Sequence, residues 1–246
     1  MASQWRSQLS VKAVDASAYP GIIAADKLVY PTSNGLTEAV LSRWFGKHPE
    51  FGLIFLDQAT GRTVANCIVV ALCERGWHLL TEGKVTESEL DGDLLFDAAR
   101  DDTIGLHVYH LEKSSSEYPQ DVPRFGMVAL DAIAEVLAAL RRTRPPGRPL
   151  EVCGFSGLTV TRLGCSLFSN LYGCRERAYV CKEHLLLSED GALEVHEAET
   201  QEELQRLLQP PSGGNGRGRT YVLRARMLVV TPDEPSLVWS AIPARA

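Results

Sequence analysis

The sequence predicts an α/β protein, and three observations carry that prediction. Between residues 103 and 180 the apolar and polar runs follow the order strand, loop, helix, strand, helix, strand. Earlier, two apolar runs are separated by a short polar segment at 57–62, which is typical of a β-hairpin. Finally, 246 residues with 45% hydrophobic content are sufficient to bury a sizeable core.

The N-terminal part of the chain is predicted to contain one strand, two helices and the hairpin. The opening strand is expected at 8–14, the helices in the later part of 16–28 and at 36–45, and the hairpin strands at 51–56 and 63–72. The second helix is predicted from Leu36, Val40, Leu41 and Trp44, which share one side at helical spacing. Residues 74–102 are more polar, and we expect them to run over the surface.

The central part of the chain contains the predicted strand 104–111, the polar loop 112–123 and a helix from 126 to 140. A strand at 149–155, a short helix at 161–171 and a strand from 176 follow. A strand that leads through a loop into a helix leaves unpaired backbone N–H groups at the start of that helix. Because such groups bind anions, this junction predicts a phosphate site.

The C-terminal part is predicted to add a hairpin, a helix and a further strand. The hairpin is expected at 183–197 with its turn at 189–191, the helix at 204–208 and the strand at 221–230. The strand either returns to the sheet edge or is loosely held. We therefore divide the chain into a domain at 1–209, a flexible Gly/Pro/Arg-rich linker at 210–219 and a C-terminal extension at 220–246.

Charge and cysteine usage restrict the class of protein. The net charge is −6, although residues 211–246 carry five arginines against two acidic residues. An acidic body argues against a general nucleic-acid binder. No apolar run approaches the roughly 20 residues that span a bilayer, and no signal peptide is visible. Six cysteines without Cys-x-x-Cys spacing are typical of reduced thiols in a cytoplasmic protein.

Several short motifs resemble the Gcn5-related N-acetyltransferase (GNAT) family over about residues 9–183. They are Leu-Val-Tyr-Pro at 28–31, Trp44, His-Pro-Glu-Phe at 48–51, and Thr161-x-x-Gly164-x-x-Leu167 running to Gly173. The resemblance implies a mixed, mostly antiparallel sheet flanked by helices. It also implies acetyl-CoA as co-substrate, an amine as acceptor and no metal.

The resemblance assigns coenzyme binding to the junction before the central helix. The family's pyrophosphate loop reads Arg/Gln-x-x-Gly-x-Gly/Ala, and here only Gly126, at the place of the last glycine, and a nearby Arg124 remain. A phenylalanine between them is expected to crowd a phosphate. The implied coenzyme-binding residues are Leu111 at the end of the strand and Arg124, Phe125, Gly126, Met127 and Val128 at the start of the helix.

Three residues are candidates for catalysis. Glu112, at the end of the strand, is the first candidate for the base that deprotonates the amine, and His110 is the second. The family's tyrosine acid corresponds to Ser169 here, so Tyr172 is the nearest candidate for the acid. Each has a structural alternative: a solvated carboxylate for Glu112, a packing residue at a helix end for Tyr172. His107 and His110 are expected on opposite strand faces, which argues against a shared metal.

The interpretation that follows is an acetyl-CoA-dependent N-acetyltransferase acting on a small molecule or a protein. The alternative is a non-catalytic GNAT-like module for protein interaction or acyl-CoA sensing, which the altered loop favours. RNA binding by the C-terminal arginines is a third, weaker hypothesis, and a homodimer stays open. A serine hydrolase is rejected, because its Gly-x-Ser-x-Gly motif around Ser156 requires a glycine where Leu158 stands.

Overall fold

The computed structural model describes residues 4–29, 36–113, 117–186, 193–196 and 220–244. Its strands are β1 (Leu9–Ala13), β2 (Gly52–Asp57), β3 (Thr63–Cys73), β4 (Thr103–Lys113), β5 (Glu151–Thr159), β6 (Arg175–Leu186), β7 (Leu193–His196) and β8 (Thr220–Val230). Its helices are α1 (Tyr19–Val29), α2 (Glu38–Phe45), α3 (Glu74–Thr81), α4 (Phe125–Thr143), α5 (Arg162–Ser166) and α6 (Leu237–Ala241). A π-helical turn, Leu167–Leu171, continues α5.

The strands form one eight-stranded sheet in the order β1-β2-β3-β4-β5-β8-β6, with β7 paired to β8 off this path. Only the β4–β5 and β7–β8 pairs are parallel among the described strands. The predicted class, a mixed and mostly antiparallel sheet flanked by helices, is therefore confirmed. The helix α4 makes the crossover that a parallel β4–β5 pair requires.

The N-terminal elements agree with the sequence. The hairpin β2–β3 and the helix α2 lie where the hydrophobic periodicity predicts them, and Leu41 and Trp44 are buried on the inner side of α2. The helix α1 begins earlier than expected, at Tyr19, with Pro20 inside its first turn. Proline is tolerated there because the first N–H groups of a helix have no intrahelical acceptor.

The expectation that residues 74–102 run over the surface is wrong. Glu74–Thr81 form α3, and the segment contributes Trp77, Leu80, Leu90 and Phe96 to the core, each at most 2% exposed. Its apolar residues are widely spaced among charged ones, so composition hides them. The capping box at Thr86 and Glu89 is present, and it begins a short 3₁₀ turn, Glu87–Glu89.

The C-terminal strand is an interior part of the sheet. β8 pairs with β5 on one side and with β6 on the other, whereas the sequence suggested a place at the edge or a loose segment. The predicted hairpin at 183–197 is also wrong, because β7 pairs in parallel with β8. The hairpin turn at 189–191, the helix at 204–208 and the linker at 210–219 lie outside the described residues.

Two helical layers cover the two faces of the central strands. On one face the indole of Trp77 lies over Gly105 and Gly154, where an added Cβ would come within 2.3 and 2.1 Å of it. On the other face the ring of Phe168 lies over Gly157, three residues further along β5. Residues three apart on a strand point to opposite faces. Among the described helices, none has both the length and the apolar character needed to cross a bilayer.

Candidate active site

A cleft opens where β4 and β5 separate. Their pairing ends at Val108 and Gly157, although β4 continues to Lys113 and β5 to Thr159. On its other side β4 contains a β-bulge: Ile68 is opposite His110 and Val69 is opposite Val108, so Tyr109 is an extra residue. A bulge bends its strand and increases the local twist. The bulge therefore directs the end of β4 away from β5.

The walls of the cleft come from both strands and from the helix after β5. It is lined by Val108, Tyr109, His110, Leu111, Glu112, Leu158, Thr159, Val160, Thr161, Gly164, Leu167 and Phe168. Its volume is about 120 Å³, well above the roughly 10–15 Å³ that a single water requires. The cleft is therefore large enough to admit a small chemical group.

The structure brings the two candidate bases together at this cleft. His110 Nε2 lies 2.8 Å from Glu112 Oε2, and the side chains are 9% and 38% exposed. The glutamate is thus neither isolated nor a purely solvated carboxylate. Hydrogen bonding to the carboxylate orients the imidazole ring and fixes which ring nitrogen faces Glu112. The pair can accept a proton from a group entering the cleft.

The prediction that His107 and His110 point to opposite faces is wrong. Their partners on β3 are Val70 and Ile68, which are two residues apart and share a face. The extra residue Tyr109 restores this alternation, so both imidazoles lie on the side of the sheet that carries α3. A spacing of three on a strand gives opposite faces only where the pairing is regular.

His107 is fully buried within a chain of hydrogen bonds. Its Nδ1 lies 3.0 Å from Ser156 Oγ, and its Nε2 lies 2.7 Å from Glu87 Oε1. Trp77 Nε1 donates to the same Ser156 Oγ at 3.1 Å. The chain joins α3, β5, β4 and the 3₁₀ turn at Glu87, and it lies directly behind the point where β4 and β5 part.

Asp26 is a buried carboxylate on the same face. It is 1% exposed, and it accepts hydrogen bonds from Leu36 N–H at 3.2 Å and Tyr109 O–H at 3.4 Å. Burial raises the pKa of Asp26, while the nearby His110 opposes that increase. The carboxylate therefore adds negative potential behind the wall of the cleft that carries His110.

The start of α4, predicted to bind the pyrophosphate, is partly satisfied within the helix. The N–H groups of Met127 and Val128 both donate to the carbonyl of Arg124, at 2.8 and 3.4 Å. These two amides are therefore already paired, which corrects the expectation that they are available to a diphosphate. The amides of Phe125 and Gly126, the first two of the helix, have no intrahelical acceptor by geometry. Arg124 is exposed at the N-cap.

Phe125 and Gly126 have clear packing roles. The ring of Phe125 is 6% exposed and packs edge-on against Phe55 at 5.0 Å and Tyr118 at 5.6 Å, so it is directed into the core. The expected crowding of a phosphate by this ring is thus not observed. Gly126 allows α4 to approach Leu167, whose Cδ1 would lie 2.8 Å from an added Cβ.

Tyr172 occupies a structural position. It is 2% exposed, and its hydroxyl donates to the carbonyl of Gly126 at 2.8 Å. Burial raises the pKa of this hydroxyl above its ordinary value. A phenol that is buried, engaged and less acidic than usual is a poor proton donor to a thiolate in the cleft. The packing role that the sequence offered as the alternative is the one that this geometry favours.

The sequence did not single out Asp26, Trp77 or Glu87, and it drew attention to Ser156 only for a serine-hydrolase motif that was rejected. Asp26 carried a signal, since it lies one helical turn after the buried Ile22 and therefore on an apolar helix face. Trp77 and Leu80 likewise have the spacing of one buried helix face. The contacts of Glu87 and Ser156 with His107 left no signal, because the two residues are 20 and 49 positions away from it in the sequence.

These features define an α/β fold with a cleft between two diverging parallel strands and a histidine–carboxylate pair on its wall. No family model and no curated protein match the chain. Among solved structures, Arabidopsis thaliana Naa50, in complex with a bisubstrate analogue of CoA, is 7% identical with a TM-score of 0.44. That match covers 91% of this chain and 99% of the other.

Two further structures are similar to the chain. An apo agmatine N-acetyltransferase is 13% identical with a TM-score of 0.42 and covers 91% of this chain and 99% of its own. The GNAT-like decarboxylase GphF, in complex with isobutyryl-CoA, is 19% identical with a TM-score of 0.40. There the match covers 61% of this chain and 65% of that chain, less than two thirds of its length. In the part of the chain that is described, no three His, Cys, Asp or Glu side chains are grouped to hold a metal.

Proposed function

We propose that this protein is an acetyl-CoA-dependent N-acetyltransferase that acylates an amine of a small molecule or a protein. The observation that carries the proposal is the cleft between β4 and β5, with the His110–Glu112 pair on its wall. The enclosed volume accommodates the thioester end of the coenzyme, and the nucleotide end would lie outside it, near Arg124. Five free cysteines among the described residues agree with a reducing, cytoplasmic location.

The proposed reaction needs one proton acceptor. An amine attacks only as the free base, so the His110–Glu112 pair removes the proton from the entering ammonium, directly or through water. The amine nitrogen then bonds to the thioester carbonyl carbon, and the carbon–sulfur bond breaks. The nitrogen loses its second proton as the thiolate leaves, and that proton ends on the sulfur, so the products are an amide and free CoA. Tyr172 is not needed for this step.

Calorimetric titration of the full chain with acetyl-CoA tests the proposal, with adenosine diphosphate as the control ligand. We expect acetyl-CoA to bind and to raise the melting temperature, because a ligand that binds only the folded state stabilises it. Neither heat nor a thermal shift at millimolar acetyl-CoA would refute the coenzyme site.

Glu112→Gln tests the base. The amide retains the size of the carboxylate and loses its charge, so we expect acetyl-CoA affinity to change little. The rate of acyl transfer to an amine, followed by release of the CoA thiol, should fall by about 10²–10⁴-fold, the usual contribution of a general base. Glu117→Gln is the matched control, since Glu117 is ion-paired with Arg62 outside the cleft lining. An equal effect of both substitutions would remove Glu112 from the mechanism.

A second function is favoured by one specific observation. Two of the amides assigned to the pyrophosphate, those of Met127 and Val128, are already paired with the Arg124 carbonyl. A non-catalytic module, which senses an acyl-CoA or binds a protein through the same scaffold, requires fewer of these contacts. Binding of acetyl-CoA without turnover on any of a panel of amines and peptides would select this alternative over the enzyme.

A further inference from the structure

The point at which β4 and β5 separate is held by a side-chain hydrogen bond. His107 and Ser156 are register partners, and the next pair, Val108 and Gly157, is the last before the strands diverge. The bond between His107 Nδ1 and Ser156 Oγ, 3.0 Å long, therefore ties the two strands together directly behind the cleft. Both side chains are fully buried.

This bond is supported from the segment between β3 and β4. Trp77, on α3, lies over Gly105 and Gly154. These two glycines are register partners and precede His107 and Ser156 by two residues on their strands. From there the Trp77 N–H reaches Ser156 Oγ. Glu87, 16% exposed in the 3₁₀ turn, contacts the other ring nitrogen of His107 at 2.7 Å.

With a single proton on the His107 ring, one arrangement of hydrogens satisfies the whole chain. Trp77 N–H can only donate, so Ser156 Oγ accepts from it and is left with one hydroxyl proton. That proton is donated to His107 Nδ1, and the Nε2–H of His107 is donated to the Glu87 carboxylate. Every bond then runs in one direction, from Trp77 to Glu87. Loss of the carboxylate removes the acceptor that fixes this tautomer of His107.

We propose that Glu87 and Trp77 are positioning residues for the coenzyme cleft, which they hold open through His107 and Ser156. The inference rests on the proposed function, since it assigns them to the same cleft. Neither residue lines the cleft. They act on Val108 and Tyr109, the first lining residues of β4, whose backbone follows directly after His107. The segment at 74–102 would therefore control coenzyme affinity from outside the cleft.

Glu87→Ala and Glu87→Gln in the full chain test the proposal by titration with acetyl-CoA. Glutamine presents a carbonyl oxygen to His107 Nε2–H and preserves the direction of the chain, whereas alanine removes the acceptor. We expect E87A to weaken acetyl-CoA binding by about fivefold or more, the lower range of coupling between linked sites. E87Q should remain within about twofold of the wild type, well below that coupling range.

Leu90→Ala is the control for general destabilisation of the same segment. Leu90 is fully buried, and its hydrogen bonds are made by its backbone: its N–H donates to the Glu87 carbonyl, and its own carbonyl accepts from the indole N–H of Trp44. Alanine keeps both bonds and removes only the apolar side chain. L90A should therefore lower the melting temperature and leave the affinity for acetyl-CoA intact. If E87A does not fold, Glu87→Asp replaces it, because aspartate keeps the charge and is too short to reach His107.

The outcomes separate the two proposals. Absence of acetyl-CoA binding by the wild type would overturn the proposed function. Binding by the wild type together with undiminished affinity in a folded E87A or E87D would overturn only the positioning role. Equal loss of affinity in L90A and E87A would also overturn the positioning role, since general destabilisation of the segment would then explain the loss. Rescue by E87Q alone, with L90A unaffected, is the pattern that supports the proposal.

Discussion

Replacing Tyr172 by phenylalanine separates a structural hydroxyl from a catalytic one. The ring is buried among Phe155 and Phe168, with centroids at 5.3 and 5.2 Å, and these contacts remain in Tyr172→Phe. Only the 2.8 Å hydrogen bond to the carbonyl of Gly126 is lost. That carbonyl is in the first turn of α4, so it still accepts the helical hydrogen bond from the N–H four residues later.

The expected loss of stability follows from that one bond. A neutral hydrogen bond contributes about 1 kcal/mol net, and the penalty for an orphaned partner is absent here because the carbonyl retains its helical bond. In a chain of this size, about 1 kcal/mol lowers the melting temperature by about 2–4 °C. Urea unfolding at neutral pH measures the change in the free energy of unfolding directly.

Acyl-transfer kinetics give the functional half of this prediction. We expect kcat for Y172F to stay near the wild-type value, since the hydroxyl is buried and engaged. Tyr118→Phe is the matched control, because Tyr118 is also buried and donates to a backbone carbonyl, that of Pro123, at 3.2 Å. A fall in kcat of about 100-fold in Y172F alone, the effect of losing a general acid, would refute this reasoning and restore the tyrosine as acid.

Truncation after Gln209 should prevent folding, seen as loss of a cooperative thermal transition in circular dichroism, because it removes β8 from between β5 and β6; a retained transition would contradict the topology. Asp26→Asn should stabilise the protein increasingly as pH rises above about 4, the pKa of an aspartate in the unfolded chain. Burial raises the pKa of Asp26 in the folded state, so the wild type loses stability as pH rises from the unfolded to the folded pKa, whereas asparagine does not ionise. Urea unfolding at two pH values checks this, and a pH-independent difference would refute it. Gly154→Ala should lower the free energy of unfolding by about 1–3 kcal/mol, because its Cβ overpacks against Trp77. Gly21→Ala is the control and should not destabilise the protein, since no atom lies within 4 Å of its new Cβ. Equal melting temperatures of the two variants would contradict this prediction.

Local patterns determined much of the fold. The strands β2 and β3 and the helix α4 have continuous apolar periodicity, which depends only on neighbouring residues, and their positions followed from it. The capping box of Thr86 and Glu89 is equally local, because its two residues are only three apart in the sequence. Glu112 and His110 could be proposed from the sequence, because two polar residues at the end of an apolar strand are visible there.

Register and distant pairing were decided only in the tertiary structure. The bulge at Tyr109 depends on which β3 residues face β4, and no local pattern encodes that choice. It placed His107 on the face of His110 and opened the cleft. The interior position of β8 likewise depends on two partners far away in the chain.

The sequence therefore indicated which residues have useful chemistry, but it did not indicate which distant residues come into contact. A carboxylate next to a histidine on one strand is a local fact, whereas the chain from Trp77 to Glu87 is fixed by three elements that pack on each other. Packing sums many weak contacts between distant segments, and each segment by itself is compatible with several such arrangements. The divergence of β4 and β5, which forms the candidate site, depends on these long-range contacts.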